Sequence, residues 1–173
     1  METPAIELCG VTKEFGVGVT GRRLRALESV SLTVPRGVVF GLLGANGSGK
    51  STTLRLLLGL LAPTAGECRV LGRRAGDKSV RARIGYLPES PVFYAHLSGR
   101  ELVTYFARLS GIAGGRALRA CVDDMLARVG LAEAATRALG SYSKGMRQRL
   151  GLAQAMIGTP AVLLLDEPTT GLD

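Results

Sequence analysis

The chain has 173 residues, 46% hydrophobic, 21% charged and 5% aromatic, with a formal net charge of +8; that supports a folded domain with a real core and excludes a disordered tail. No apolar run reaches membrane-spanning length, and Met1-Glu-Thr-Pro-Ala-Ile-Glu7 opens with acids where a signal peptide carries bases, so the expected location is cytoplasmic. The basic excess lies in single arginines and pairs such as Arg22-Arg23 and Arg73-Arg74, not interleaved with aromatics, which makes nucleic acid an unexpected partner and a solvated surface near anionic lipid headgroups the better reading.

In chain order, Ile6–Val11 reads as a first strand, followed by Thr12-Lys-Glu-Phe15 and a glycine-rich loop from Gly16 to Gly21. Leu27–Val34 alternates apolar and polar residues, as a half-exposed strand does. Pro35-Arg-Gly37 is a turn into Val38-Val-Phe-Gly-Leu-Leu43, an apolar run without alternation, expected as a strand buried on both faces of a parallel sheet.

Gly44-Ala-Asn-Gly-Ser-Gly-Lys50-Ser51-Thr52 follows, and fits the phosphate-binding P-loop pattern. Leu54, Leu57, Leu58 and Leu61 recur at helical spacing, so a helix is expected to start at Lys50. Gly44, Gly47 and Gly49 allow the backbone to curl until its N–H groups converge on an anion, and the helix N-terminus adds its positive end. Lys50 supplies a charge for the β- and γ-phosphates, and the Ser51 hydroxyl a position on Mg²⁺. Asn46, Ser48 and Thr52 belong to the same nucleotide-contacting stretch. A strand, such a loop and a helix in that order imply binding of a nucleoside triphosphate.

Ala62-Pro-Thr-Ala-Gly66 is a turn, Glu67–Leu71 a short strand, and Arg83-Ile-Gly-Tyr-Leu87 a strand ended by Pro88. From about Ser98 the pattern becomes helical. Leu102, Tyr105, Phe106 and Leu109 form one stripe; Leu118, Cys121, Val122, Met125, Leu126 and Val129 a second; Met146, Leu150, Ala153 and Ile157 a third. These stripes are core faces of a helical subdomain over about 90–157. Cys9, Cys68 and Cys121 are odd in number and widely spaced, which fits buried apolar roles better than a disulfide framework or zinc.

Ala161-Val-Leu-Leu-Leu165 is a second apolar strand and runs into Asp166-Glu167. A P-loop enzyme needs such an acidic pair: Asp166 can hold Mg²⁺ through water, and Glu167 can activate a water against the γ-phosphate. Between the helical stripes, Tyr142-Ser-Lys-Gly-Met-Arg-Gln-Arg149 opens the third helix. It resembles the signature motif of the ATP-binding cassette (ABC) family, commonly L-S-G-G-Q. Ser143 and Gly145 match, while Lys144 stands at the usual first glycine and Met146 at the usual glutamine. Serine before a helix is also an ordinary N-cap, but three motifs in family order outweigh that.

The resemblance implies an α/β fold: a P-loop NTPase core of the ABC ATPase type with flanking antiparallel strands and the helical subdomain, as a single domain over 1–173. It also implies ATP and Mg²⁺ as cofactors. Phe15 matches the aromatic that stacks on adenine. Ile84-Gly-Tyr-Leu-Pro-Glu89 matches the Q-loop region, with Glu89 where most members have glutamine, near Mg²⁺ or the attacking water. Thr170-Gly-Leu-Asp173 resembles the D-loop, which puts Asp173 beside the nucleotide at a dimer interface. The family's switch histidine follows the D-loop; the chain ends at Asp173, and His96 is misplaced for that role, so a C-terminally truncated ABC ATPase domain is expected. The function implied is the ATP-hydrolysing subunit of an export-type ABC transporter. Such a subunit is a homodimer on the inner face of the membrane, coupled to a separate permease. A soluble ABC ATPase acting on ribosomes or DNA is the alternative, and a GTPase or kinase a distant third, because N-K-x-D is absent.

Overall fold

A computed structural model describes residues 3–18 and 22–169. Its contacts divide into two compact units, one ending at Arg81 and the other beginning at Ala82.

In the first unit, β1 (Ile6–Val17) and β2 (Arg22–Val34) pair antiparallel, from Ile6 opposite Val34 to Val17 opposite Arg22. Both strands run further than their alternation suggests. Gly16 and Val17 continue β1, and β2 begins at Arg22 rather than Leu27. Cross-strand charge accounts for the extension: Glu14 takes Arg23 at 3.2 Å and Arg25 at 3.1 Å, and opposite charges on one ladder stabilise it. The other edge of β1 pairs with β3 (Ala65–Val70), which turns through Leu71 and Gly72 into β4 (Arg73–Arg74). Both turn residues have positive φ, 53° and 78°, as a two-residue hairpin turn demands. The sheet order is β2-β1-β3-β4. Leu8, Val11, Leu27, Val34, Cys68 and Val70 are its buried side chains, joined in the unit's core by Leu56 and Leu57 of α1 (Lys50–Leu57). A short α2 (Lys78–Arg81) closes the unit.

The expected strand over Val38–Leu43 is not formed. The segment joins no ladder among the described residues, and Val39 and Leu43 are 104% and 92% exposed. An apolar run becomes a strand only by giving its N–H and C=O groups to a neighbour.

The second unit holds β5 (Ile84–Leu87) and β6 (Val162–Leu165), paired in parallel with Leu87 opposite Leu165. Val162 and Leu164 are buried, while Leu163 is exposed, so β6 presents one covered face. Three helices follow the predicted order: α3 (Gly99–Leu109), α4 (Arg116–Arg128) and α5 (Lys144–Met156). The α4 stripe is the expected one. The α3 stripe is rotated: Leu102, Val103 and Ala107 go inside, and Tyr105 and Leu109 are exposed. Helix α5 is buried on two sides. Leu150, Ala153 and Ile157 enter the helical core, while Gly151 and Ala155 meet β5. A Cβ on Gly151 would lie 2.7 Å from Leu87 Cδ1, and one on Gly85 would lie 1.9 Å from the Ala155 carbonyl. That glycine contact brings helix and strand together with nothing between them.

Candidate functional site

The loop 44–49 and the first turn of α1 form an open cradle. Gly49 is the helix N-cap at φ 92° and ψ 4°, a left-handed conformation that disfavours other residues. A Cβ there would also lie 2.7 Å from the Ala26 carbonyl and 2.6 Å from Leu27 Cδ2, so β2 leaves no room for one. No side chain caps the helix, and the first N–H groups of a helix have no partner within it. The Lys50 ammonium folds back over the loop, donating to the Gly44 carbonyl at 2.7 Å and the Ala45 carbonyl at 3.1 Å. A Cβ on Gly44 would sit 2.6 Å from Ser48 Oγ and crowd that side chain. Thr53 secures the turn from behind, its N–H and hydroxyl donating to the Gly49 carbonyl at 2.8 and 3.0 Å. Asn46, Ser48 and Ser51 are exposed and Thr52 is half-buried. An uncapped helix end, an open glycine loop and a tethered ammonium fit a polyphosphate.

Phe15 lies on the hairpin that braces this loop. It pairs with Leu24, three residues along β2 from Leu27, or roughly 10 Å. Its ring is half-buried, with the Lys13 ammonium 5.1 Å from its centroid.

In the second unit, β5 and β6 carry Glu89 and the Asp166-Glu167 pair out of the same, carboxyl end of the parallel sheet. The Asp166 N–H donates to the Leu87 carbonyl at 2.9 Å, continuing the ladder one residue past β6. Asp166 is buried, at 8% exposure, while Glu167 and Glu89 are exposed. Glu167 has φ 48°; a non-glycine residue in that region stores strain of about 1–3 kcal/mol and is characteristic of functional sites. Among the described residues, no group of three or more His, Cys, Asp or Glu could hold a metal ion. Ser51 in the first unit and Asp166 in the second each carry the oxygen donor that a hard cation takes.

Ser143 is the N-cap of α5, accepting from the Met146 N–H at 3.1 Å. It is an ordinary cap in geometry, yet exposed, and its hydroxyl hydrogen can still be given to an anion. Gly145 is half-buried in the first turn. Because Ala155 meets Gly85 and Gly151 meets Leu87, α5 runs antiparallel to β5. Its first turn therefore projects about 10 Å past the carboxyl end of the strand. Tyr142 anchors that turn: its hydroxyl donates to the Ala134 carbonyl at 2.7 Å, and burial raises its pKa. Asp173, with the rest of Thr170–Asp173, lies outside the described residues.

Sequence reasoning passed over two residues near these motifs. Lys13 is one. Gln148, at 3% exposure with no hydrogen-bond partner for Nε2 among the described residues, is the other; its amide follows the signature so closely that only burial distinguishes it. A groove of about 350 Å³ beside α3 is lined by Pro91, Val92, Phe93, Tyr94, Tyr105 and Phe106, among others. His96 stands exposed next to it, its ring 5.9 Å from Tyr94. No helix among the described residues is long and apolar enough to cross a membrane.

A profile of the ABC transporter family matches residues 27–170. The chain is 45% identical over 152 residues to YxlF, an ABC transporter ATP-binding protein of Bacillus subtilis, covering 88% of this chain and 50% of that protein. It is 42% identical over 175 residues to the daunorubicin resistance ATP-binding protein DrrA3 of Streptomyces coeruleorubidus, covering 100% of this chain and 53% of that one. The chain thus spans about half the length of the curated relatives it matches. Among solved structures, it resembles the ATP-binding cassette MJ0796 in a dimeric, post-hydrolysis state bound to ADP and Pi. The TM-score is 0.87 at 28% identity, covering 97% of this chain and 76% of that one. Profile, relatives and fold agree with the P-loop, the acidic pair and the signature helix: the chain belongs to the ABC transporter family.

Proposed function

We propose that this chain is the ATP-binding and ATP-hydrolysing part of an export-type ABC transporter, residues 1–173 belonging to a single ABC ATPase domain. The observation that carries the reading is the cradle itself. Gly49 in the left-handed region, an uncapped α1 and the Lys50 ammonium over the loop present fixed positive groups to a polyphosphate. Lys50 binds β- and γ-phosphate oxygens, and the α1 N–H groups hold the chain of phosphates in line. Bound Mg²⁺ would neutralise phosphate charge; Ser51 and Asp166, with Glu89 close to the same strand end, are the residues to hold it. Glu167 accepts a proton from the attacking water as its oxygen bonds to the γ-phosphorus and the bond to the ADP oxygen breaks.

Ser143 and Gly145, at the exposed N-terminus of α5, suit the γ-phosphate of a facing copy, since a two-fold pair lets one sequence supply both halves of each site. A dimeric cassette with ADP and Pi among the structural relatives supports this arrangement. Asp173 is the further residue we place at that interface, and Phe15 the platform for adenine. The apolar groove by Tyr94 and Tyr105 suits a permease segment on the inner face of the membrane. A relative named for daunorubicin resistance favours export over the ribosome or DNA alternative.

The test is Glu167→Gln. MgATP binding by calorimetry should stay at the wild-type level while phosphate release falls by about 10²-fold or more, the scale of a lost general base. Unchanged turnover would place the base elsewhere.

A further inference from the structure

Phe15 brings only a ring to the site, so whatever fixes that ring decides whether a base can stack on it. Three hydrogen bonds tie the stretch of β1 around Phe15 to the segment that follows α1. The Thr64 N–H donates to the Thr12 carbonyl at 2.8 Å. The Glu14 N–H donates to the Thr64 hydroxyl at 3.0 Å. The Lys13 ammonium donates to the Ala62 carbonyl at 2.7 Å. That same ammonium lies over the Phe15 ring. The acid beside it, Glu14, is taken by Arg23 and Arg25 across the hairpin, which holds its carboxyl below the usual range. Lys13 is thus held by a carbonyl on one side and an aromatic face on the other.

A cation centred near an aromatic face is attracted by the ring's negative quadrupole. It fixes the ring's orientation, occupies one face, and leaves the other for an electron-rich base, where offset stacking is favourable. The carbonyl contact links this platform to the carboxyl-terminal end of the segment whose amino-terminal end is the phosphate cradle. Base and phosphates would then be held by one continuous piece of structure.

We infer that Lys13 is the positioning residue of the nucleobase site: it fixes Phe15 from one face so that a purine can stack on the other. The inference rests on the reading of Phe15 as the adenine platform. It concerns a residue that makes no bond to the nucleotide.

The experiment compares MgATP with magnesium tripolyphosphate, which carries the phosphates without the base. Calorimetric titrations are run on the wild-type chain and on Lys13→Met, Lys13→Arg and Phe15→Ala. Lys13→Met should weaken ATP about two- to fivefold, the value of an exposed cation–aromatic contact, and leave tripolyphosphate unchanged. Lys13→Arg keeps a cation for the ring and a donor for Ala62, and should restore most of the loss. The ratio of the two affinities, measured on one sample, is insensitive to the fraction of active protein. Equal weakening of both ligands would overturn the inference, because loss of positive charge alone acts at least as strongly on tripolyphosphate. An unchanged ATP affinity in Lys13→Met would overturn it too. Phe15→Ala separates the levels: if it leaves the ratio unchanged, Phe15 is not the platform and the underlying reading falls. If Phe15→Ala lowers the ratio and Lys13→Met does not, only the role of Lys13 falls.

Discussion

Lys50 shows how much one side chain contributes at the residue scale. Its ammonium already bonds two loop carbonyls, so part of the entropy of holding it over the cradle is spent before any phosphate arrives. Lys50→Ala removes a charge-assisted contact worth about 1.5–3 kcal/mol. MgATP affinity should fall roughly tenfold to a hundredfold, readable by calorimetry, with the thermal melt little changed. Cys68 gives a second prediction. Burial raises its thiol pKa to about 11, so the folded chain keeps it protonated where the unfolded chain, near 8.5, ionises. Its contribution to stability is complete below the unfolded value and is lost as pH rises through the folded one. At pH 8 a thiol reagent should label exposed Cys9 quickly and Cys68 only after denaturant is added; equal rates would show that β3 is open. The cradle residues were legible in the sequence because glycine, lysine and serine at that spacing have few other uses. Lys13 was not, because its approach to Phe15 depends on irregularities in β1 between Val11 and Glu14 that no alternation pattern records. Nor was the positive φ of Glu167, which is a property of the turn and not of the side chain.

At the scale of elements, caps and close glycine contacts make separate, measurable contributions to stability. Ser98 and Glu101 form a capping box at α3: the serine hydroxyl accepts from the Glu101 N–H at 3.2 Å, and the carboxylate accepts from the Ser98 N–H at 2.8 Å. Those bonds hold the Glu101 carboxyl below its usual range, so their stabilisation is present above the unfolded carboxylate value, roughly 4.3, and fades as pH falls through the folded one. Ser98→Ala should therefore cost about 0.5–2 kcal/mol at neutral pH and less in acid, by denaturant titration. Gly151→Ala tests the α5–β5 contact. Its new methyl would meet Leu87 and Pro91 at 2.7 and 3.2 Å, and overpacking of that kind costs about 1–3 kcal/mol. Helix positions were readable from periodicity, and the α4 face was right in detail. The α3 face was misjudged because Tyr105 and Leu109 are apolar by composition yet lie outside the packed core. Hydrophobicity marks what can be buried; the neighbours decide what is. The second buried side of α5 was hidden for the opposite reason, since glycine and alanine barely register as hydrophobic.

For the whole molecule, order along the chain was the informative signal. P-loop, signature helix and acidic strand appear in family sequence, and the antiparallel strands around the P-loop were expected; the parallel pairing of β5 with β6 was not, since Arg83–Leu87 reads only as a strand with no partner named. The segment Val38–Leu43 has the pattern of a strand buried on both faces, yet its apolar side chains are exposed. Its consequence is colloidal. Six residues of Val, Phe, Leu and Gly without charge or proline, with their backbone unpaired by any described strand, have the composition of a self-adhesive cross-β segment. Copies of this chain should recruit one another through that stretch, edge to edge, at rates that climb with concentration. A single lysine is the gatekeeper natural edges use. Val39→Lys, on a side chain that touches solvent on every side, should slow the growth of light scattering and thioflavin fluorescence at 37 °C. Identical kinetics for the two proteins would place the sticky surface elsewhere in the chain.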